Sequence, residues 1–77
     1  MHQNIIGSVI REIREKRGLT QAQLVAKLNI AGWDLSRGTF SKIEARIRCV
    51  TDIELLKLAK GIGVDAPDLL RMAQKKA

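Results

Sequence analysis

The sequence predicts an all-α protein, a compact bundle of five short helices, and three observations support this fold class. Apolar residues recur at helical spacing along most of the chain. No alternating run of β-branched and aromatic residues and no hairpin dipeptide interrupts them. Each apolar stretch also follows a residue type that caps helices. The five predicted caps are Asn4, Thr20, Ser36, Thr51 and Asp65.

The size and composition of the chain predict one domain with an aliphatic core. A chain of 77 residues buries only about 60% of its unfolded surface, so every helix must contribute to one shared core. Trp33 and Phe40 are the only aromatic residues. We therefore expect residues 1–77 to form a single helix-turn-helix domain whose motif spans residues 20–45.

The first helix is predicted from Asn4 to Gly18, a residue typical of the position after a helix end. Its apolar stripe consists of Ile5, Ile6, Val9, Ile10 and Ile13. Arg14 flanks this stripe. Thr20 and Gln23 then have the spacing of a capping box at the start of the second helix, which we expect to end at Asn29.

Residues 30–35 break the helical pattern, and Ser36 begins a third helix that we expect to reach Ala45. Phe40 and Ile43 give this helix an apolar side, and Trp33 is predicted to anchor the preceding loop over the core. The opposite side is short and polar or cationic, with Arg37, Thr39, Ser41 and Lys42. A helix of this kind suits the major groove of DNA.

The remaining sequence predicts a loop and two further helices. In the loop RIRCV we expect Arg46 and Arg48 to be exposed and Ile47 or Val50 to point inward. The fourth helix begins with a second capping box, and its apolar band predicts the most central helix of the bundle. That band is Ile53, Leu55, Leu56, Leu58, Ala59 and Ile62. In the fifth helix we expect Leu69, Leu70 and Ala73 to face inward.

The charge distribution favours a nucleic acid as the partner. The chain has a net charge of +6, and residues 35–50 are its densest basic stretch. Cys49 is the only cysteine, no apolar run is long enough to span a membrane, and the N-terminus does not resemble a signal peptide. We expect a cytoplasmic protein with no membrane partner.

Several motifs in this order resemble the phage-repressor-like (XRE) helix-turn-helix domains. They are GLTQAQLVAKL, LSRGTFSKIE and TDIELLKLAKGIGVDAPDLL, and the resemblance covers about residues 10–70. It implies a lambda-repressor-like fold that binds DNA with a recognition helix at residues 36–45. The chain departs from the family in the extended turn between helices 2 and 3, where residues 30–34 (IAGWD) look like an insertion.

The resemblance also implies a role for individual residues. Gln21 corresponds to a residue that binds a phosphate at the helix start. The expected base-facing positions are Arg37, Gly38 and Lys42, with shorter contacts from Ser36, Thr39 and Ser41. Arg46 and Arg48 would contact the flanking DNA backbone. Glu44 matches an acidic residue that pairs with an arginine of the first helix, here Arg14. Gly38 provides no side chain to read a base, which leaves Arg37 and Lys42 as the readers.

The leading interpretation is a sequence-specific regulator of double-stranded DNA, a repressor, that forms a homodimer at least on DNA. The surface around the fifth helix, with Leu70 or Met72, would form the dimer contact. The alternative is an antitoxin-like module that uses the same fold to bind a protein partner. An enzyme is not expected, because His2 and Cys49 offer no nucleophile and base pair, and neither a cofactor nor a metal site is predicted.

Overall fold

The computed structural model describes residues 4–76, which form five α-helices and contain no β-strand. The helices are α1 (Gly7–Lys16), α2 (Gln21–Ile30), α3 (Arg37–Glu44), α4 (Asp52–Ile62) and α5 (Ala66–Lys76). Helix α2 packs against both α3 and α4, while α1 packs against α3 and α5. The predicted all-α, five-helix fold class is confirmed.

Both predicted capping boxes are present. The Thr20 hydroxyl accepts a hydrogen bond from the Gln23 N–H at 3.1 Å, and the Gln23 side chain accepts one from the Thr20 N–H at 2.8 Å. Thr51 and Glu54 make the same reciprocal pair at the start of α4, each at 3.1 Å. These contacts satisfy N–H groups that have no partner within the helix, so the two helix starts are defined by local sequence.

Helix α1 begins at Gly7, later than the cap predicted at Asn4. Asn4 still serves the helix start, because its Oδ1 accepts a hydrogen bond from the Gly7 N–H at 2.6 Å. The Asn4 side chain also donates to the Ile43 carbonyl in the last turn of α3 and to the Arg48 carbonyl in the loop after it, which local sequence could not indicate. The position of the helix start is therefore set partly by a tertiary contact.

The extended turn between α2 and α3 is anchored to the core. Trp33 and Leu35 are only 8% and 7% exposed, so the prediction that Trp33 anchors this loop is confirmed. The Asn29 side chain donates to the carbonyls of Trp33 and Leu35 at 2.8 and 3.3 Å. Gly32 adopts φ = +103°, a conformation that a residue with a side chain rarely tolerates. The turn is therefore a packed part of the domain.

The core is aliphatic apart from Phe40 and Trp33, but the expected apolar band of α4 is only partly buried. Leu58, Ala59 and Ile62 are buried, whereas Ile53 and Leu56 are 63% and 62% exposed. The sequence predicted from this band that α4 is the most central helix, but α4 is not enclosed on all sides, because only one side of it faces the neighbouring helices.

Two further apolar positions were predicted to point inward. Leu70 on α5 is 41% exposed, which contradicts the prediction. In the loop before α4, Val50 packs on the core while Ile47 is 60% exposed, which confirms the prediction that one of the two points inward. The corrected positions leave several large apolar side chains on the surface formed by the second half of the chain.

No helix within residues 4–76 is long and apolar enough to cross a bilayer. The same residues contain no cluster of three or more His, Cys, Asp and Glu side chains that could hold a metal ion. His2, which we expected not to bind a metal, lies outside the described residues.

Candidate nucleic-acid interface

The start of α3 is fixed by two neighbouring hydroxyl groups. The Ser36 Oγ accepts a hydrogen bond from the Thr39 N–H at 3.1 Å and donates one to the Thr39 Oγ1 at 3.1 Å. Ser36 is exposed and Thr39 is half-buried. Both residues therefore set the first turn of the predicted recognition helix, and they lie at its polar side.

The polar face of α3 is open to solvent. Its exposed residues are Arg37, Gly38, Ser41 and Lys42. Phe40 and Ile43 are fully buried on the other side and hold the helix on the core. Arg37 and Lys42 form no ion pair with any residue in the range 4–76. Their positive charges are therefore available to an external polyanion.

The start of α2 lies beside this face. Gln21, Arg37, Gly38 and Ser41 line a shallow open cleft between α2 and α3. The structure thus brings the predicted phosphate-binding residue next to three of the predicted DNA-facing positions. A helix N-terminus carries unpaired N–H groups that favour an anion, so the cleft combines the start of α2 with the positive charge of Arg37.

A buried ion pair connects α1, α2 and α3 behind the cleft. Arg14 donates to Glu44 from Nε to Oε2 at 2.8 Å and from Nη2 to Oε1 at 3.1 Å. Its Nη1 donates to the Leu19 carbonyl at 2.8 Å, and Gln21 Nε2 donates to Glu44 Oε1 at 2.8 Å. The hydrogen bond to Glu44 raises the pKa of Arg14 above its usual value.

This network determines how Gln21 is presented. One amide N–H of Gln21 is directed to the buried carboxylate, which fixes the orientation of the side chain at the rim of the cleft. The Glu44 side chain is only 3% exposed and the Arg14 side chain 12%. The pair therefore acts inside the domain, where it joins α3 to α1, and the Gln21 bond joins α2 to the same carboxylate.

The sequence predicted that Arg46 and Arg48 in the loop after α3 are exposed, and this prediction is wrong. Both are half-buried, and each is held by other parts of the chain. Arg48 binds Glu54 with two hydrogen bonds, Nη1 to Oε1 at 3.0 Å and Nη2 to Oε2 at 2.8 Å, and also donates to the Cys49 carbonyl. The Arg48 guanidinium lowers the pKa of Glu54. Arg46 donates from Nε to the Asn4 carbonyl at 2.9 Å.

Sequence reasoning missed the tertiary role of Asn4, which it identified only as a helix cap. No local signal could have revealed this role, because the carbonyl groups that Asn4 binds belong to Ile43 and Arg48. The bond between Arg48 and Glu54 had a weak signal, since the two residues have opposite charge and lie six positions apart on either side of a helix start.

Comparison with known proteins identifies the family. A helix-turn-helix family model matches residues 10–69. No curated protein sequence is significantly similar to the chain. Among solved structures, the chain is similar to a single-residue variant of the restriction-modification controller protein C.Esp1396I, with 32% sequence identity and a TM-score of 0.77, over 94% of this chain and 85% of that chain.

A second similar structure is the tetramer of C.Esp1396I in complex with its natural 35-base-pair operator. The identity is 32% and the TM-score 0.77, over 92% of this chain and 87% of that chain. The family match spans most of the sequence and includes all five helices at least in part. The chain therefore belongs to the phage-repressor-like (XRE) helix-turn-helix family of DNA-binding transcriptional regulators.

Proposed function

We propose that the protein is a cytoplasmic repressor that acts by binding and not by catalysis, and that it places α3 in the major groove of double-stranded DNA. The observation that carries this proposal is the exposed face of α3, with Arg37 and Lys42, beside the start of α2. These two residues are separated by about 7.5 Å along the helix axis, at 1.5 Å per residue, which is roughly two base-pair steps.

Each residue of the face has a proposed role. Arg37 and Lys42 read base edges, most naturally the O6 and N7 acceptors of guanine. Ser41 makes a shorter contact to a base or a phosphate, and Gly38 lets the helix approach the groove closely. Gln21 binds a phosphate together with the backbone N–H groups at the start of α2. Ser36 and Thr39 hold the first turn of α3, and the Thr39 hydroxyl, which accepts from Ser36, donates its own O–H to a phosphate oxygen of the DNA backbone.

Selection of bound sequences from a random duplex pool tests this proposal most directly. The selected duplex is then used to measure affinity across a salt series. We expect log K to fall with log salt with a slope of about −0.9 for each neutralised phosphate. Failure of the chain to enrich any sequence, together with salt-independent binding, would overturn the proposal.

A pair of lysine variants identifies the reading face. Lys42→Ala should relax the preference at one base position by about 1–3 kcal/mol. Lys75→Ala, which removes the same charge from the exposed end of α5, is the matched control and should leave that preference unchanged. Equal effects of the two variants would mean that the lysine on α3 acts only through net charge.

We also propose that the chain binds its operator as a homodimer that reads two half-sites about 34 Å apart. The similar controller protein is a tetramer on its operator, which supports assembly on DNA. The chain exposes large apolar side chains on α4 and α5. Such an exposed apolar surface is typical of a site that contacts another protein chain. The exposed side chains are Ile53, Leu56, Leu70 and Met72.

The oligomeric state of two aspartate variants tests the dimer contact. Leu56→Asp should reduce the dimer fraction in sedimentation and weaken binding to a duplex with two half-sites far more than to a single half-site. Ile30→Asp, on a side chain that is 88% exposed at the end of α2, is the control and should do neither. If the dimer fraction is the same in both variants, the dimer contact does not include Leu56.

The similarity to a restriction-modification controller protein supports a more specific role, control of the genes of such a system. The selected operator sequence tests this role. We expect it upstream of genes for a DNA methyltransferase or a restriction endonuclease in the source genome. An operator found only beside unrelated genes would remove this part of the proposal.

A further inference from the structure

The end of α3 contains a residue in an unusual backbone conformation. Arg46 has φ = +64° and is the only residue other than glycine in the left-handed region within residues 4–76. Its N–H donates to the Ile43 carbonyl at 3.0 Å, and the Ile47 N–H donates to the Lys42 carbonyl at 3.1 Å. This pattern is a Schellman helix end, in which glycine is the preferred residue at the left-handed position. An arginine there is strained unless its side chain makes a compensating contact.

Asn4 provides that contact. The Arg46 Nε donates to the Asn4 carbonyl at 2.9 Å. The Asn4 Nδ2 donates to the Arg48 carbonyl at 2.7 Å and to the Ile43 carbonyl at 3.3 Å, while its Oδ1 accepts from the Gly7 N–H. Asn4, a single residue that precedes α1, therefore binds the last turn of α3, the loop after α3 and the start of α1.

The two helices also approach each other very closely at this point. A Cβ atom added to Gly7 would lie 2.0 Å from the Ile43 carbonyl oxygen and 3.1 Å from the Arg46 side chain. Only glycine allows the first turn of α1 to contact the end of α3 in this way. The end of α3 therefore lies directly on the backbone of α1, and no side chain lies between them whose movement could change their distance.

We propose that Asn4 and Arg46 are positioning residues for DNA binding. The hydrogen bonds of these two side chains at the end of α3, here called the α3 lock, fix the angle at which α3 leaves the core, and Lys42 lies one turn before Arg46. Arg46 acts through the lock and is not a phosphate contact. This inference rests on the proposed function, and it replaces the backbone contact that the family resemblance implied for Arg46.

Salt dependence distinguishes a positioning residue from a phosphate contact. On the duplex selected with the wild-type chain, we expect Asn4→Ala and Arg46→Ala each to weaken binding about tenfold, the equivalent of one or two lost hydrogen bonds. The slope of log K against log salt should stay unchanged in both variants. A slope that falls by about 0.9 in Arg46→Ala would show a lost phosphate contact and overturn the proposal.

Two further variants sharpen this test. Arg46→Lys keeps the positive charge but lacks the guanidinium Nε–H beside Asn4, so it should bind as weakly as Arg46→Ala. The Asn4 side chain holds in place the backbone carbonyl that Arg46 binds, so the two changes are coupled. The double variant Asn4→Ala with Arg46→Ala should therefore bind within about twofold of the weaker single variant. Wild-type affinity of Arg46→Lys, or losses that multiply in the double variant, would contradict the lock.

Hydrogen exchange measures the lock without DNA. In Asn4→Ala we expect faster exchange at the Arg46 and Ile47 amides, which close the end of α3, and unchanged exchange in α2. Asn4→Ser, a milder change, serves the same purpose if the alanine variant unfolds. Unchanged exchange at both amides would overturn the proposal. Failure of the wild-type chain to bind any duplex would instead remove the proposed function, while this measurement would still decide whether the lock exists.

Discussion

Arg14→Ala is the sharpest test of how the domain holds its recognition helix. The change leaves the Glu44 carboxylate inside the protein, where its side chain is only 3% exposed. Of its partners among residues 4–76, only the Gln21 amide would remain, because both guanidinium bonds are lost. A buried carboxylate without a counter-charge is strongly unfavourable, and α3 carries this carboxylate on its last residue.

The expected loss is large compared with the stability of so small a domain. Removing one partner of a buried ion pair costs about 3–5 kcal/mol. A chain of 77 residues has a total free energy of unfolding of about 4–12 kcal/mol. At about 4–8 °C per kcal/mol for a domain of this size, the melting temperature should fall by at least about 12 °C.

Thermal and urea denaturation followed by far-UV circular dichroism at pH 7 measure this loss. Arg11→Ala is the matched control on the same helix, since the Arg11 to Glu15 pair is 3.7 Å apart and its side chains are 62% and 57% exposed. That control should cost less than about 0.5 kcal/mol. If Arg14→Ala melts within about 2 °C of the control, the reasoning about a desolvated pair is refuted.

Three other predictions concern stability. Glu54→Gln keeps a capping residue but loses the ion pair with Arg48, and should cost about 1 kcal/mol at pH 7 because Arg48 is one-third exposed. Arg48 lowers the pKa of Glu54, so the difference from wild type should be full above the usual value of 4.5 and should shrink as the pH falls from 4.5 through the lowered pKa of Glu54. A difference that does not shrink at all in acid contradicts this. Trp33→Ala should cost about 3–5 kcal/mol in a urea titration, and a cost below about 1 kcal/mol would show that the turn is not anchored by the indole. Gly7→Ala should lower the melting temperature by several degrees, about 1–3 kcal/mol, because its Cβ would collide with the Ile43 carbonyl; unchanged melting would show that α1 can move away.

Much of the fold was predictable because helix signals are local. Thr20 and Thr51 cap their helices through residues three positions later, and such contacts need no tertiary structure. The pairing of Arg14 with Glu44 was implied by resemblance to a family and not by spacing. Helical periodicity identified Phe40 and Ile43 as core residues of α3 for the same local reason.

The burial of α4 was less predictable. Periodicity showed that this helix is apolar over much of its circumference, but it could not show how much of that surface its neighbours would cover. Ile53 and Leu56 are exposed because only one side of the helix faces the core. That exposure is what suggests a contact with a second copy of the chain.

The sequence by itself determined the helices, the caps of α2, α3 and α4, the polar face of α3 and the basic stretch around it, since all of these depend on neighbours a few positions away. Only the tertiary structure decided what Asn4, Arg46 and Arg48 do. Asn4 and Arg46 meet across 42 positions of sequence, and a side chain can reach such a partner only after the helices have packed. The geometry of α3 relative to the rest of the domain is therefore a property of packing, because hydrogen bonds of this range are formed by the fold and not by the local chain.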